Sequence, residues 1–140
     1  MKLQPDPHSA LNTVTRYEDS YIEINEIRFE SSILVMPEGE INPWNISNFS
    51  QFERSHFETI AQLRPELVIL GSGLKHRFVT PSLLQDLYKA KIGFEVMTTQ
   101  AACRTYNILM GEGRLVLGAF LIESNPTTSP VTASSTTKIN

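Results

Sequence analysis

The sequence predicts an α/β domain with a mixed sheet, in which an antiparallel β-hairpin precedes a βαβαβ unit. Three observations carry that expectation. Leu67-Val68-Ile69-Leu70 is an unbroken aliphatic run ended by Gly71-Ser72-Gly73, the pattern of a strand buried on both faces, as in a parallel sheet. Two further apolar stretches, Ile92 to Met97 and Leu115 to Ile122, follow at intervals filled by helical patterns, and that alternation is the signature of a parallel α/β unit. Earlier in the chain, Tyr21-Ile22-Glu23-Ile24 and Ile27-Arg28-Phe29 alternate polar and apolar residues on either side of Asn25-Glu26, as a hairpin with one face on a core does.

The order of elements follows from local signals. Met1 to about Thr13 carries prolines and polar groups without periodicity and reads as a loosely held arm, with the arm assigned to residues 1–16. After the hairpin, Ile33-Leu34-Val35-Met36 is a more deeply buried strand stopped by Pro37-Glu38-Gly39. Ile41-Asn42-Pro43-Trp44 has no regular pattern, and its indole is expected to plug one end of the core. Ser50-Gln51-Phe52-Glu53 has the form of a capping box. It predicts a helix from about Gln51 to Leu63 that lays Phe49, Phe52, His56, Ile60 and Leu63 on the sheet, ended by Pro65.

After the Leu67 to Leu70 strand and the polar loop Leu74-Lys75-His76-Arg77-Phe78, Thr80-Pro81 opens a second helix, with threonine as cap and proline at its first position. Leu83, Leu84, Leu87 and Tyr88 are expected to face inward. The strand ending at Met97 leads through Thr98-Thr99 into a third helix carrying Ala102, Tyr106, Leu109 and Met110 on one side, ended by Gly111 and Gly113. The last strand, Leu115 to Ile122, is buried on both faces and free to run parallel or antiparallel. Residues 17–123 thus form one domain, and the Ser/Thr-rich tail 124–140 is expected to be disordered.

The chain's 140 residues, 41% hydrophobic and 19% charged, suit a single soluble domain. A net charge of -3 and a pI near 5.6 give no non-specific attraction to nucleic acid or an anionic membrane, so neither is expected as a partner. The single cysteine, Cys103, excludes an intrachain disulfide and a multi-cysteine zinc site and fits a reducing compartment. Three scattered histidines argue against a metal centre; no metal or cofactor is expected. The opening residues carry neither a secretory h-region nor an arginine-rich transit pattern, and no run reaches membrane-spanning length. The cytoplasm is the expected setting.

The candidate site lies past the glycine turn. If the strands ending at Leu70 and Met97 are parallel neighbours, Gly71, Ser72 and Gly73 meet Thr98, Thr99 and Gln100 at one sheet edge. Glycine-turn and helix-start amides there can hold a phosphate or carboxylate, with hydroxyls from Ser72, Thr98 and Thr99 and charge from Lys75, His76 or Arg77. A purely structural turn with helix caps is the reading these residues favour over such a site. The turn lacks the third glycine of a dinucleotide fingerprint and the Gly-Lys-Ser/Thr of a phosphate loop, so a nucleotide is a weak reading. Cys103, near a helix start beside Arg104, has no base tied to it by any motif and reads as a packing residue. Glu95 is expected at a solvent-facing edge, and Asn107 is expected to bond a neighbouring loop.

Leu70-Gly71-Ser72-Gly73, the Thr80-Pro81 helix start, Phe94 to Thr99, and Ala101-Ala102 leading to Tyr106-Asn107 resemble a family of small α/β proteins. It is the Mth-type domain of unknown function that includes the adipogenesis-associated Mth domain protein and the mitochondrial respiratory complex I assembly factor three. The likeness runs from about Tyr17 to Glu123. It implies a three-layer fold with a mixed central sheet and an antiparallel edge, no established catalytic residues, and action through protein partners. The resemblance also implies a bacterial setting. The function expected is therefore a non-catalytic interaction or assembly module. The alternative is a small-molecule binder or enzyme using the pocket of Gly71 to Gly73 and Thr98 to Gln100. The hairpin Tyr21 to Phe29 is a candidate edge for homo-oligomerisation.

Overall fold

A computed structural model describes residues 10–123; the first part of the expected arm and the tail 124–140 lie outside the described residues. The chain builds two sheets. Strands β1 (Val14–Glu18), β2 (Tyr21–Ile24) and β3 (Ile27–Phe29) form a small antiparallel sheet. The β2–β3 turn is made by Asn25 and Glu26 at φ 49° and 71°, the left-handed backbone that tight hairpins require. Strand β1 begins at Val14, inside the stretch expected to be an arm. Only Val14 of its residues is buried, so its sequence carries no β alternation of its own.

The central sheet adds β4 (Ile33–Val35), β5 (Asn42–Pro43), β6 (Leu67–Gly71), β7 (Gly93–Met97) and β8 (Val116–Phe120), in the order β5-β4-β8-β6-β7. Strands β6, β7 and β8 are mutually parallel, and β4 runs antiparallel to β8 and β5. The sheet is therefore mixed, as expected, and the last strand runs parallel to β6. Its antiparallel margin is built by β4 and β5; the hairpin Tyr21 to Phe29 belongs to the separate small sheet instead. Strand β6 lies between β8 and β7, so the aliphatic run is interior and not at the rim.

Alternation along the central strands feeds two cores. Val68, Leu70, Leu117 and Ala119 pack on one face with Phe57, Ile60, Leu84 and Leu87, from helix α1 (Arg54–Gln62), a 3-10 turn at Pro81–Leu84 and helix α2 (Gln85–Lys89). Ile69, Val116 and Phe120 pack on the other with Ala102, Cys103, Tyr106 and Met110 of helix α3 (Thr99–Gly111), and with Val14, Ile22 and Ile24 of the small sheet. Helices and small sheet thus cover both faces, giving three layers. The crossovers from β6 to β7 and from β7 to β8 move in opposite directions on opposite faces, so they share one hand.

Three local expectations are corrected. Helix α1 starts at Arg54 rather than Gln51, because Asn48 caps a 3-10 turn at Phe49–Gln51 by accepting from Ser50 N at 3.1 Å. That turn shifts the helical phase, so Phe57 is fully buried while His56 is only half-buried. Thr80 makes no side-chain cap bond, and Tyr88 is 53% exposed, because the short α2 turns only Leu87 and its preceding Leu84 into the core. Trp44, expected at one end of the core, is buried against Phe52, Phe57 and His56 with centroid separations of 5.3, 6.2 and 6.3 Å.

Candidate functional site

Because β6, β7 and β8 are parallel and adjacent, their carboxyl ends open at one edge of the sheet. Gly71 is required there by close approach: a Cβ would lie 3.0 Å from Thr99 Cα and 3.2 Å from Ala102 Cβ. Gly73 is required by conformation, at φ +99°. Beyond them the two predicted segments meet. Ser72 N donates to Met97 O at 2.8 Å, and Thr99 N donates to Gly73 O at 2.9 Å. Gly73 N donates to Thr99 Oγ1 at 2.8 Å.

Those bonds define what the turn can offer a ligand. The amides of Ser72 and Gly73 are already satisfied within the chain. The Ser72 hydroxyl is buried and donates towards Lys75 O at 2.6 Å, with Met97 O at 3.2 Å. Thr98 caps α3, its hydroxyl accepting from Ala101 N at 3.4 Å. Of the six residues predicted for the site, Gly73, Thr98, Thr99 and Gln100 line an open groove of about 880 Å³, whereas Gly71 and Ser72 are buried and do not line it.

The groove runs between the β1–β2 turn at Glu18 and Asp19, the loop at Leu74 and Lys75, the start of α3, and a floor from Leu121 to Glu123. Its electrostatic centre is a pair that the sequence reading did not identify. Arg77 grips Glu123 with two hydrogen bonds of 3.0 Å, and Phe49 N donates to the same carboxylate at 2.9 Å. The guanidinium also sits 5.0 Å from the Phe49 ring centroid. Burial pushes the Glu123 pKa up, but the Arg77 hydrogen bonds, the Phe49 amide and the charge of Arg77 together bring it below its ordinary value. The partners are 46 residues apart, and no local motif links them. With Arg77 committed to Glu123, the remaining charged residues lining the groove are Lys75, Glu18 and Asp19, none of them in an ion pair among the described residues.

The other chemistry-bearing residues have structural posts. Cys103 is buried, and burial drives its pKa up to about 12 against the opposing charge of Arg104, so the thiol stays protonated and unreactive. His56 holds the start of α1, its Nδ1 accepting from Glu53 N at 3.0 Å and its Nε2 lying 3.1 Å from Asn45 O. His76 stacks edge-on against Phe78 at 4.7 Å. Glu95 lies exposed on the edge strand β7. Asn107 and Tyr106 bind the chain entering β1: Asn107 bonds both the N–H and the C=O of Val14, and Tyr106 donates to Asn12 O at 2.7 Å. Among the described residues no cluster of three or more His, Cys, Asp or Glu is placed to hold a metal ion. No helix there is long and apolar enough to cross a membrane.

Comparison with known proteins places these features in context. Residues 14–121 match the family model described as protein of unknown function (DUF498/DUF598). The bovine NADH dehydrogenase (ubiquinone) 1 alpha subcomplex assembly factor 3 is 31% identical over 112 residues, covering 76% of this chain; the match spans only 60% of the bovine protein's length. The crystal structure of a Bordetella parapertussis protein matches with a TM-score of 0.78 at 42% identity, over 84% of this chain and 100% of that one. The solution structure of a Mth938-like domain from Bordetella pertussis matches with a TM-score of 0.75 at 36% identity, over 89% and 94% of the two chains.

Proposed function

Because the chain belongs to the family described as protein of unknown function DUF498/DUF598, we propose that it is a non-catalytic interaction module that assists assembly of a larger protein complex. One observation carries this reading: beside a groove whose amides and arginine are bonded internally, the loop after β6 turns Leu74 and Phe78 into solvent, 71% and 82% exposed. Exposed apolar side chains beside a polar-rimmed groove are what a protein partner buries. An enzyme would need ionisable groups converging on a ligand, whereas Arg77 and Glu123 neutralise each other. The printed name of the bovine relative, an assembly factor, points the same way.

The test is capture of partners from cells producing the tagged protein, compared with a Leu74→Ser/Phe78→Ser variant whose thermal melt matches the wild type. Loss of the same partners in the variant supports the loop as the docking surface. An unchanged partner set overturns it.

The uncommitted Lys75, which lines the groove together with Gln100 of α3, favours a second reading, in which a small phosphate or carboxylate ligand is bound by the Gly71–Gly73 and Thr98–Gln100 pocket. Thermal stabilisation by inorganic phosphate or acetate, abolished by Lys75→Ala, would replace the first reading with this one.

Homo-oligomerisation is a further part of the proposal, through the hairpin edge at β3, where Ile27 is 62% exposed. Light scattering that gives a concentration-independent monomer removes it. A bacterial cytoplasmic setting also belongs to the proposal; the likeness to the two Bordetella proteins supports its bacterial part, and recovery of the protein with the membrane fraction would overturn its cytoplasmic part.

A further inference from the structure

The two edges of the central sheet differ in kind. Strand β5 is two residues long and contains Pro43, which has no N–H to offer, so that edge is blunted. Strand β7 is five residues long, has no proline, and among the described residues pairs with β6 alone. The bonds at its ends decide which of its main-chain groups point outward. Gly93 N donates to Glu66 O at 3.1 Å and Met97 O accepts from Ser72 N at 2.8 Å. In a parallel ladder the bonded residues of a strand alternate. Gly93, Glu95 and Met97 therefore turn their N–H and C=O towards β6, and Phe94 and Val96 turn theirs away from it.

We propose that this edge receives an extended segment of a partner protein as a sixth, antiparallel strand, with a basic side chain opposite Glu95. The charge on the edge favours that occupant over a second copy of the chain in the register that overlaps the two strands in full. Around a twofold axis normal to the sheet, the register that pairs Phe94 with Val96 of the second copy sets the two Glu95 residues directly opposite each other. Their Cβ atoms would then be about 4.5–5.5 Å apart, and like charges so placed destabilise the pair. Glu95 is exposed and enters no ion pair among the described residues. A lysine or arginine facing it turns the same repulsion into attraction. Phe94 and Val96 lie half-buried on the opposite face, against the α1 and α2 layer, so the partner's residues on either side of its basic one are apolar or β-branched. Main-chain bonds provide the affinity and this alternation the specificity, as in strand addition generally. The inference goes beyond the docking loop at Leu74 to Phe78 and does not rest on it.

The experiment is an NMR titration of the full-length, 15N-labelled chain with the capped peptide Thr-Val-Lys-Val-Thr and with its Thr-Val-Glu-Val-Thr counterpart. The expected result is that the Phe94 and Val96 amides shift and become protected from solvent exchange with the lysine peptide only. A Glu95→Lys variant, shown to be folded by its spectrum, exchanges that preference for the glutamate peptide. The proposal is overturned if neither amide responds, if both peptides act alike, or if the two amides become protected without peptide as the protein concentration is raised, which would mark a second copy as the occupant.

Discussion

Asn107 supplies Val14 with a rung of β-ladder. Its side-chain carbonyl accepts from Val14 N and its amide nitrogen donates to Val14 O, each at 2.9 Å. A primary amide carries the same donor and acceptor as a peptide unit, so a helix residue stands in for a neighbouring strand across 93 positions of sequence. Replacing Asn107 with alanine leaves both Val14 groups without their partner. The expected cost is about 1–3 kcal/mol, read from the urea midpoint, together with faster hydrogen exchange at the Val14 amide.

Gly71 sets how closely α3 approaches β6. The methyl group of a Gly71→Ala variant would meet Thr99 Cα at 3.0 Å and Thr99 Oγ1 at 3.1 Å, and backbone cannot step aside as a side-chain tip can. The helix start must shift, which strains the Gly73 to Thr99 hydrogen bonds as well. Thermal denaturation is expected to show a loss of about 1–3 kcal/mol, the usual range for overpacking.

The grip of Arg77 on Glu123 gives stability a defined pH dependence. The folded-state pKa of Glu123 is depressed below its ordinary 4.5. Its contribution is therefore complete above that ordinary value and is lost as pH falls through the lower folded value. Glu66 and Asp86, also depressed, by Arg114 and Arg54 respectively, add slopes of the same sign. The informative quantity is thus the difference between wild type and Glu123→Gln. Chemical denaturation on the acid side of neutrality is expected to show a shallower fall in stability for the variant; parallel curves would mean that the pair does not couple to folding.

Cys103, its pKa driven up to about 12 by burial, is expected to ignore a thiol reagent at about pH 8 in the native state. Labelling should proceed only as fast as the chain opens, so its rate should rise with denaturant in step with unfolding. Rapid labelling of the native protein would show that α3 opens locally without global unfolding.

Much of the central sheet was legible because its signals are local. Leu67 to Leu70 needed only its own composition to read as a buried strand. Gly71 to Gly73 and the Thr98 cap were enough to bring the ends of β6 and β7 together. What escaped was set at a distance or decided by close competition. Strand β1 has a single buried residue and is ordered by Asn107 and Tyr106 of a helix formed much later in the chain. The start of α1 turned on which of Asn48, Ser50 and Glu53 would cap, and the choice of Asn48 moved Phe57 into the core in place of His56. Gly73 and Thr98 to Gln100 were read as neighbours, but the Glu18–Asp19 side of the groove and the partner of Arg77 were not: Glu123 looks like the last residue before a tail, and only the return of β8 beside β6 carries it there.

That return also governs when the protein can become itself. Strand β4 and strand β6 are not paired with each other; each is bonded to β8, the last strand of the described residues to be synthesised. While the chain is still emerging from a ribosome, no strand of the central sheet bridges its early and late halves, and the small sheet waits on Tyr106 and Asn107 of α3 for its own anchorage. Maturation is therefore a late, nearly single event. A nascent chain arrested before residue 116 should be open to proteases along its whole length, whereas one released just after the final strand should resist them.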